Sequence, residues 1–586
     1  MTEPTHLASP ADVVDEPSLG VRPSSRPARA RSKERSGTLA TEVTKVFLEH
    51  PLLICSLLVI ATWTIRQLVL HYTVSPLPAS VNGNYISDQV GGENLIADWQ
   101  AGFRQGSVVP ADNFFLKYPL YLAVDNLPLG PLKQLFVASW VLLALTAVVI
   151  LKAAELSFAP VASRLRAPNR LPLAMLVVAL ALAATPFVNY YWLEFQNSRN
   201  IEIALGFYLL ARFYRYLIGE SQGRSLWLHG LDIVLAAALF ADDPLTLYVL
   251  CPPVVLVTAL YSLRSAGSRD GLPLRRIGIA LGSVAGAAAA SLVVVRALDA
   301  VLPLQIVPAP TETVSASTFL SNLQYFVTYA IQMFGLTPWS VGLRGSFAWL
   351  TIAYGCLLIA AVLGCIWAWR REPGQPLGPF LAAIFTWLLA VFLLTELGVG
   401  GNDRELQFCV AVAAFALGLT VLYAPNVRVV AATIALASCA LVLVLASSAS
   451  SLLHERVSPN TSQFQTVTEI KSLHIHVGYA EYWDAGIDKF LSGESLDLIN
   501  VECPDGSNPI YYNWESDKGM LDIRAGKSFY ILSETDPNVC SRATLDKLLG
   551  APSRVVAVAD SSDPTEILVY DYNIGPRLFN GSGTAP

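Results

Sequence analysis

The stretch Trp227–Leu263, WLHGLDIVLAAALFADDPLTLYVLCPPVVLVTALYSL, decides the class of fold. Two adjacent carboxylates, Asp242 and Asp243, interrupt apolar runs that approach the roughly 20 residues a helix needs to cross a bilayer. Pro244 suits the first turn of a helix, where its missing N–H costs nothing. Asp243, immediately before it, suits the N-cap. The stretch therefore reads as a helical hairpin closed by a tight polar turn. Capping accounts for Asp243 and leaves Asp242 unexplained.

The rest of the chain repeats this pattern. Of 586 residues, 53% are hydrophobic and 14% charged, with a mean hydropathy of +0.48. Soluble chains carry about a quarter charged residues, so the composition indicates a polytopic α-helical membrane protein. About eleven transmembrane helices are expected, near 50–71, 134–154, 171–188, 200–218, 226–241, 244–263, 277–298, 346–369, 379–397, 406–423 and 429–449. Basic residues such as Arg164, Arg170, Arg275, Arg276, Arg370 and Arg428 fall in one set of connections. Acids fall in the alternate set: Asp88, Asp98, Asp112, Glu194, Asp242, Asp243 and Glu405. By the positive-inside rule the amino terminus is cytoplasmic and the acidic loops lie outside.

Three regions follow. Residues 1–44 hold a basic run with little to bury and read as a disordered cytoplasmic tail. Residues 45–450 form the multi-span domain, with large outer loops at 72–133 and 299–345. The second loop contains an amphipathic segment, 318–336, that reads as an interfacial helix or as a twelfth span. Residues 451–586 alternate strand-like SLHIHVGY, LDLINVEC, KSFYILSE, SRVVAVAD and TEILVYDY with helical EYWDAGIDKFL and RATLDKLL, the pattern of a small extracytoplasmic α/β domain. Six of the eight cysteines lie in apolar runs. Cys503 and Cys540 share the outer domain and, in an oxidising compartment, are expected to pair.

No P-loop, dinucleotide-binding glycine fingerprint, HExxH or CxxC pair is present. His474 and His476 alternate in an expected strand, two histidines without a third metal ligand. Chemistry is left to acids and arginines at the outer face. Carboxylates there can take a proton from a hydroxyl nucleophile, and arginines can hold a phosphate. Arg199, in EFQNSRNIEI, and Arg404, in GGNDRELQF, both open helices, where free N–H groups favour anions. Glu202 and Asp232 read as mid-span acids. Tyr479, Tyr482 and Trp483 of GYAEYWDAG either stack on a sugar ring or pack a helix onto the sheet.

The layout over 45–450 resembles the C-type (GT-C) superfamily of integral-membrane glycosyltransferases. Such enzymes carry many spans and a large first outer loop with an acidic residue, here ISDQVGGENLIADW; many also have a carboxy-terminal outer domain. FADDPLTL is similar to the acid-bearing outer turns of the superfamily. GGNDRELQF resembles the late loop in which an arginine opens a span, but Glu405 replaces the aromatic residue that follows it there. The resemblance implies transfer of a sugar from a polyprenyl-phosphate donor to a glycan, lipid or protein acceptor at the outer face of the cytoplasmic membrane, with no nucleic-acid partner. It assigns Asp88, Asp98 and Asp242 to catalysis and Arg199 and Arg404 to the donor phosphate. Asp242 and Asp243 are left to orient the acceptor or a divalent cation. A transporter or lipid flippase, or a non-catalytic subunit of envelope assembly, would fit the same span count, but no repeated half accompanies the broken helix at Pro252-Pro253.

Overall fold

In the computed structural model the described residues are 44–73, 107–110, 117–129, 131–185, 200–219, 226–265, 274–301, 304–307, 313–333, 346–372, 375–395, 407–454, 462–493, 495–503, 508–511, 526–533, 539–558 and 565–579, together with Glu42. Helices occupy each of the eleven apolar segments. They are α1 (Pro51–Thr73), α3 (Pro131–Arg164), α4 (Arg170–Ala183), α5 (Asn200–Leu217), α6 (Leu226–Asp242), α7 (Pro244–Ser265), α8 (Leu274–Val301), α10 (Ser346–Arg371), α11 (Leu377–Leu394), α12 (Gln407–Tyr423) and α13 (Val427–His454). Between α1 and α3 lie a short strand, β1 (Ser107–Pro110), and a short helix, α2 (Tyr118–Asp125). Strand β2 (Leu304–Val307) and helix α9 (Ala316–Met333) separate α8 from α10.

Six of these helices (α3, α7, α8, α10, α11 and α13) are long and apolar enough to cross a membrane, and α1, α4 and α12 contain shorter apolar helices. The chain is a membrane protein. Trp349 and Trp369, both largely exposed, stand at the two ends of α10. They are about 30 Å apart along the axis, the thickness of a hydrocarbon core with aromatic residues at each interface. Ile352, Ile359 and Val362, also exposed, lie between them.

Helix α12 is central and buried along most of its length. A Cβ added at Gly364 of α10 would lie 2.6 Å from the carbonyl oxygen of Ala416, so only glycine lets these two helices approach so closely. Helix α3 runs ten residues past its expected end, through Pro160. Arg164 there bonds to the Pro160 carbonyl and to the hydroxyl of Tyr214 on α5.

The two large loops are tied together by backbone. Strand β1 of the first loop pairs in parallel with β2 of the second, Ser107 opposite Leu304 and Pro110 opposite Val307. Helix α9 is mostly exposed, but Asn322 is buried and its amide donates to the carbonyls of Phe392, Leu393 and Thr395 at the end of α11. That bond set caps orphan helix carbonyls with a side chain.

The carboxy-terminal region is a six-stranded sheet in the order β5-β4-β3-β6-β8-β7. Strands β3 (Val477–Ala480), β4 (Asp497–Glu502) and β6 (Ser528–Ser533) are parallel. Strands β5 (Ile510–Tyr511), β7 (Arg554–Ala557) and β8 (Thr565–Tyr570) join antiparallel. Helices α14 (Ser462–Ser472), α15 (Tyr482–Leu491), α16 (Arg542–Leu549) and α17 (Gly575–Phe579) accompany the sheet. Both faces are covered: Phe529 and Ile531 of β6 pack with Ile470 and Ala485, whereas Tyr530 and Leu532 pack with Leu545 and Leu578. This period-2 split of one strand between two cores is why its sequence, SFYILS, is apolar on both faces.

The structure corrects one reading of this region and decides another that the sequence left open. His474 adopts φ 55 in a turn and the strand begins at Val477, so the two histidines do not share a strand face. Tyr479 and Tyr482 are buried, so they pack rather than stack on a ligand; Tyr479 donates to Asn573, and burial pushes its phenol up to about 12.

Cys503 and Cys540 form a disulfide, with Cα atoms 4.9 Å apart and the two residues 37 positions apart in sequence. Closing such a loop contributes roughly 3–4 kcal/mol in the chain-entropy model. Cys503→Ala/Cys540→Ala is therefore expected to lower the unfolding midpoint of the sheet region, read by thermal denaturation of detergent-purified protein. A midpoint equal to that of the wild type would show that the bridge constrains nothing in the unfolded chain.

Candidate functional site

The polar turn of the opening hairpin is where the described residues converge. Helix α6 ends at Asp242 and α7 begins at Pro244. Both carboxylates are completely buried. Asp243 caps α7: one oxygen accepts from the Leu245 backbone N–H at 3.0 Å and the other from the Thr246 hydroxyl at 2.9 Å. These bonds satisfy an orphan donor of the helix start, as its sequence position requires.

A third carboxylate joins from α5. Glu202 was read as mid-span, yet it lies in the first turn of its helix, two residues after Asn200. It is fully buried, as is Lys117, whose ammonium sits 3.0 Å from it. Lys117 and Asp243 are the charged side chains that act most on Glu202. Lys117 immediately precedes α2 in the first outer loop. The ion pair therefore pins the segment before α2 to the first turn of α5.

Sequence reasoning missed Lys117. Its signal was present: a lysine within the aromatic stretch NFFLKYPLY of a loop that is otherwise rich in acids. A lone lysine in an apolar context needs a carboxylate, because an unpaired buried charge is costly.

Close packing holds this arrangement. A Cβ added at Gly206, one turn below Glu202, would meet the Leu250 side chain of α7 at 2.9 Å. Its absence lets α5 lie against α7.

A second polar group lies at the end of α4. The indole of Trp63 donates to the Leu182 carbonyl at 3.0 Å and the buried guanidinium of Arg66 to that of Ala183 at 3.4 Å. The Tyr354 hydroxyl donates to Ala184. These side chains from α1 and α10 occupy the carbonyls that α4 leaves unpaired. Arg66 thus serves as a helix cap.

Asp232, the other acid read as mid-span, is engaged. It accepts from the Nε and Nη2 of Arg212, the shortest contact being 2.6 Å. This pair answers the charge that had suggested a transport pathway. Asp88, Asp98, Arg199 and Arg404 lie outside the described residues. Among the described residues, no three His, Cys, Asp or Glu side chains converge on a metal position.

Removing one partner of a buried ion pair costs about 3–5 kcal/mol, because the other charge is stranded. Lys117→Met and Glu202→Gln are each expected to destabilise the protein, the first more severely. Lys117→Met/Glu202→Leu should recover part of the loss. Chemical denaturation of the four proteins in detergent measures the coupling. Strictly additive losses would count against direct pairing.

No protein-family model matches the sequence, and no curated protein matches it. Among solved structures the chain is similar to the Archaeoglobus fulgidus oligosaccharyltransferase in its apo form, with 12% identity and a TM-score of 0.42, over 76% of this chain and 64% of that one. It is similar also to that enzyme in complex with Zn and sulfate, with 14% identity and a TM-score of 0.42, over 75% and 61% of the two chains. A third match is the archaeal oligosaccharyltransferase AglB from Archaeoglobus fulgidus in complex with an inhibitory peptide and a dolichol-phosphate, with 14% identity and a TM-score of 0.41, over 77% and 64%. The chain spans less than two thirds of the length of each of these structures.

Proposed function

We propose that this chain is a GT-C membrane glycosyltransferase that moves a sugar from a polyprenyl-phosphate donor to an envelope acceptor at the outer face of the cytoplasmic membrane. The observation that carries the reading is the burial of Asp242 and Asp243 in a helix-hairpin turn beside Glu202, with Lys117 of the first outer loop bonded into the same group. Capping accounts for Asp243 and the Lys117 pair for Glu202, so this reading takes buried Asp242 as the functional acid. A lipid-phosphate donor keeps its tail in the bilayer and its head in water, so its reactive carbon sits at the depth of such a turn.

In this reading Asp88 takes the proton from the acceptor hydroxyl, whose oxygen attacks the anomeric carbon. The bond from that carbon to the phosphate oxygen breaks, and the phosphate leaves with the electron pair. Arg199 and Arg404 hold the departing phosphate by charge-assisted hydrogen bonds. Asp98 is the alternative base on the same loop. Asp243 is committed to capping, so Asp242 is the member of the pair that orients the acceptor.

A divalent cation suits the donor set, since carboxylate oxygens are hard ligands. Asp242 together with Asp88 or Asp98 would hold it, and when bound it would offset the charge of the donor phosphate.

Two measurements test the proposal. For topology, a cysteine introduced at 100–110 or 560–570 is expected to react with an impermeant thiol reagent in intact cells, and one at 265–272 is not. The reverse pattern would remove the outer-face site. For activity, sugar transfer from a radiolabelled polyprenyl-phosphate sugar is measured on purified variants, with donor binding read separately. A single positioned base gives roughly 10²–10⁴-fold, so Asp88→Asn is expected to lose activity on that scale while remaining folded. Asp242→Asn should weaken acceptor use more than donor binding. Asp243→Asn should cost about 1 kcal/mol of stability or less and little activity. Near-normal transfer by Asn variants at Asp88, Asp98 and Asp242 alike would overturn the proposal.

A further inference from the structure

A cavity of about 130 Å³ lies between α5, α6, α7 and α8. It follows α5 from Gly206 to Tyr216 and α6 from His229 to Phe240, about 15 Å along each helix. That length is half of a hydrocarbon core. One end is apolar, lined by Leu210, Phe240, Leu250 and Ala287. The other is polar, lined by Arg212, His229, Asp232 and Ser283. The helices that form it present Leu231, Val234 and Leu256 outward, as lipid-facing helices do. His229 precedes Asp242 by 13 positions on α6, about 20 Å of helix, so the polar end lies near the opposite membrane face from the paired acids.

Hydrogen-bond accounting defines what this end offers. Arg212 uses Nε and Nη2 on Asp232, and among the described residues its Nη1 has no acceptor. The Ser283 hydroxyl donates to the Ile279 carbonyl at 2.7 Å, which commits its one proton. The contact of 2.7 Å between His229 Nε2 and Ser283 Oγ must then be donated by the imidazole. A neutral ring therefore has its lone pair on Nδ1. The ring is held in place by stacking on Tyr216, centroids 4.8 Å apart. The polar end thus presents a guanidinium donor and an imidazole acceptor.

We infer that this cleft binds a lipid phosphate monoester, its phosphate at Arg212 and His229 and the first part of its chain along Leu210, Phe240 and Leu250. A monoester monoanion has both an anionic oxygen for Arg212 and a P–OH for Nδ1. A phosphodiester headgroup lacks the P–OH, and a neutral alcohol lacks the charge. The apolar wall selects neither an isoprenoid nor a straight chain.

The test uses full-length protein in detergent, with native mass spectrometry reporting binding of farnesyl phosphate, lauryl phosphate, farnesol and lysophosphatidylcholine. No sugar transfer is measured, so the outcome is separate from the transferase reading. At least one monophosphate is expected to bind about tenfold more tightly than farnesol and lysophosphatidylcholine. Preference for farnesyl over lauryl phosphate would name an isoprenoid occupant, and the reverse an acyl one. His229→Phe, which keeps the stacked ring and loses Nδ1, should weaken binding about tenfold. Ala236→Leu, which fills the cavity without touching the polar end, should weaken it similarly. Thermal unfolding confirms that each variant is folded. Equal binding of farnesol and farnesyl phosphate would overturn the inference. So would monophosphate binding that neither variant alters, since it would then belong to another site.

Discussion

A polar group at the end of a helix inside a bilayer has no water to turn to, and the structure is organised by that constraint. Each exposed carbonyl or N–H must be met by a side chain from another segment. At the end of α4 the partners are Trp63, Arg66 and Tyr354. At the end of α11 the partner is Asn322. At the end of α12 it is Arg170, which donates to the carbonyls of Leu422 and Ala424 at 2.8 and 3.0 Å. These bonds join residues far apart in sequence, so the same interactions that complete helix ends also fix how helices are arranged.

The outer site is this rule applied to side-chain charges. Asp243 completes the start of α7, and Lys117 and Glu202 neutralise each other where neither reaches solvent. The pair links the first outer loop to the helix bundle, while the ribbon of β1 and β2 links that loop to the second.

Positions of helices and strands were legible because they follow local periodicity and apolar length. The hairpin at Asp242-Asp243-Pro244 was legible for the same reason, since a cap and its helix are neighbours in sequence. Several of the misreadings involve long-range partners. Glu202 was placed in mid-span because apolar residues flank it, although its helix starts only two residues earlier. Asp232 was read as a lone mid-span acid, yet Arg212, twenty positions away, lies beside it. Helix α3 was cut short at a polar stretch, yet Arg164 in that stretch bonds across to Tyr214, fifty positions away. His474 was assigned to a strand from alternation alone, and its positive φ reflects the turn that leads into β3.

By itself the sequence determined that this is a helical membrane protein with a small α/β region at its carboxy terminus, because burial in lipid and in a sheet imposes periods of composition that local residues cannot conceal. It also determined that Asp243 caps a helix. Only the tertiary structure decided that Lys117 belongs with Glu202, that Arg66 closes α4, and that a polar-ended cleft runs between α5 and α8. Charge pairs and helix caps across segments depend on which helices pack together, and that packing depends on steric fits such as Gly206 against Leu250 and Gly364 against Ala416. Such fits leave no periodic trace, because a single missing side chain on one helix is matched to a partner on another.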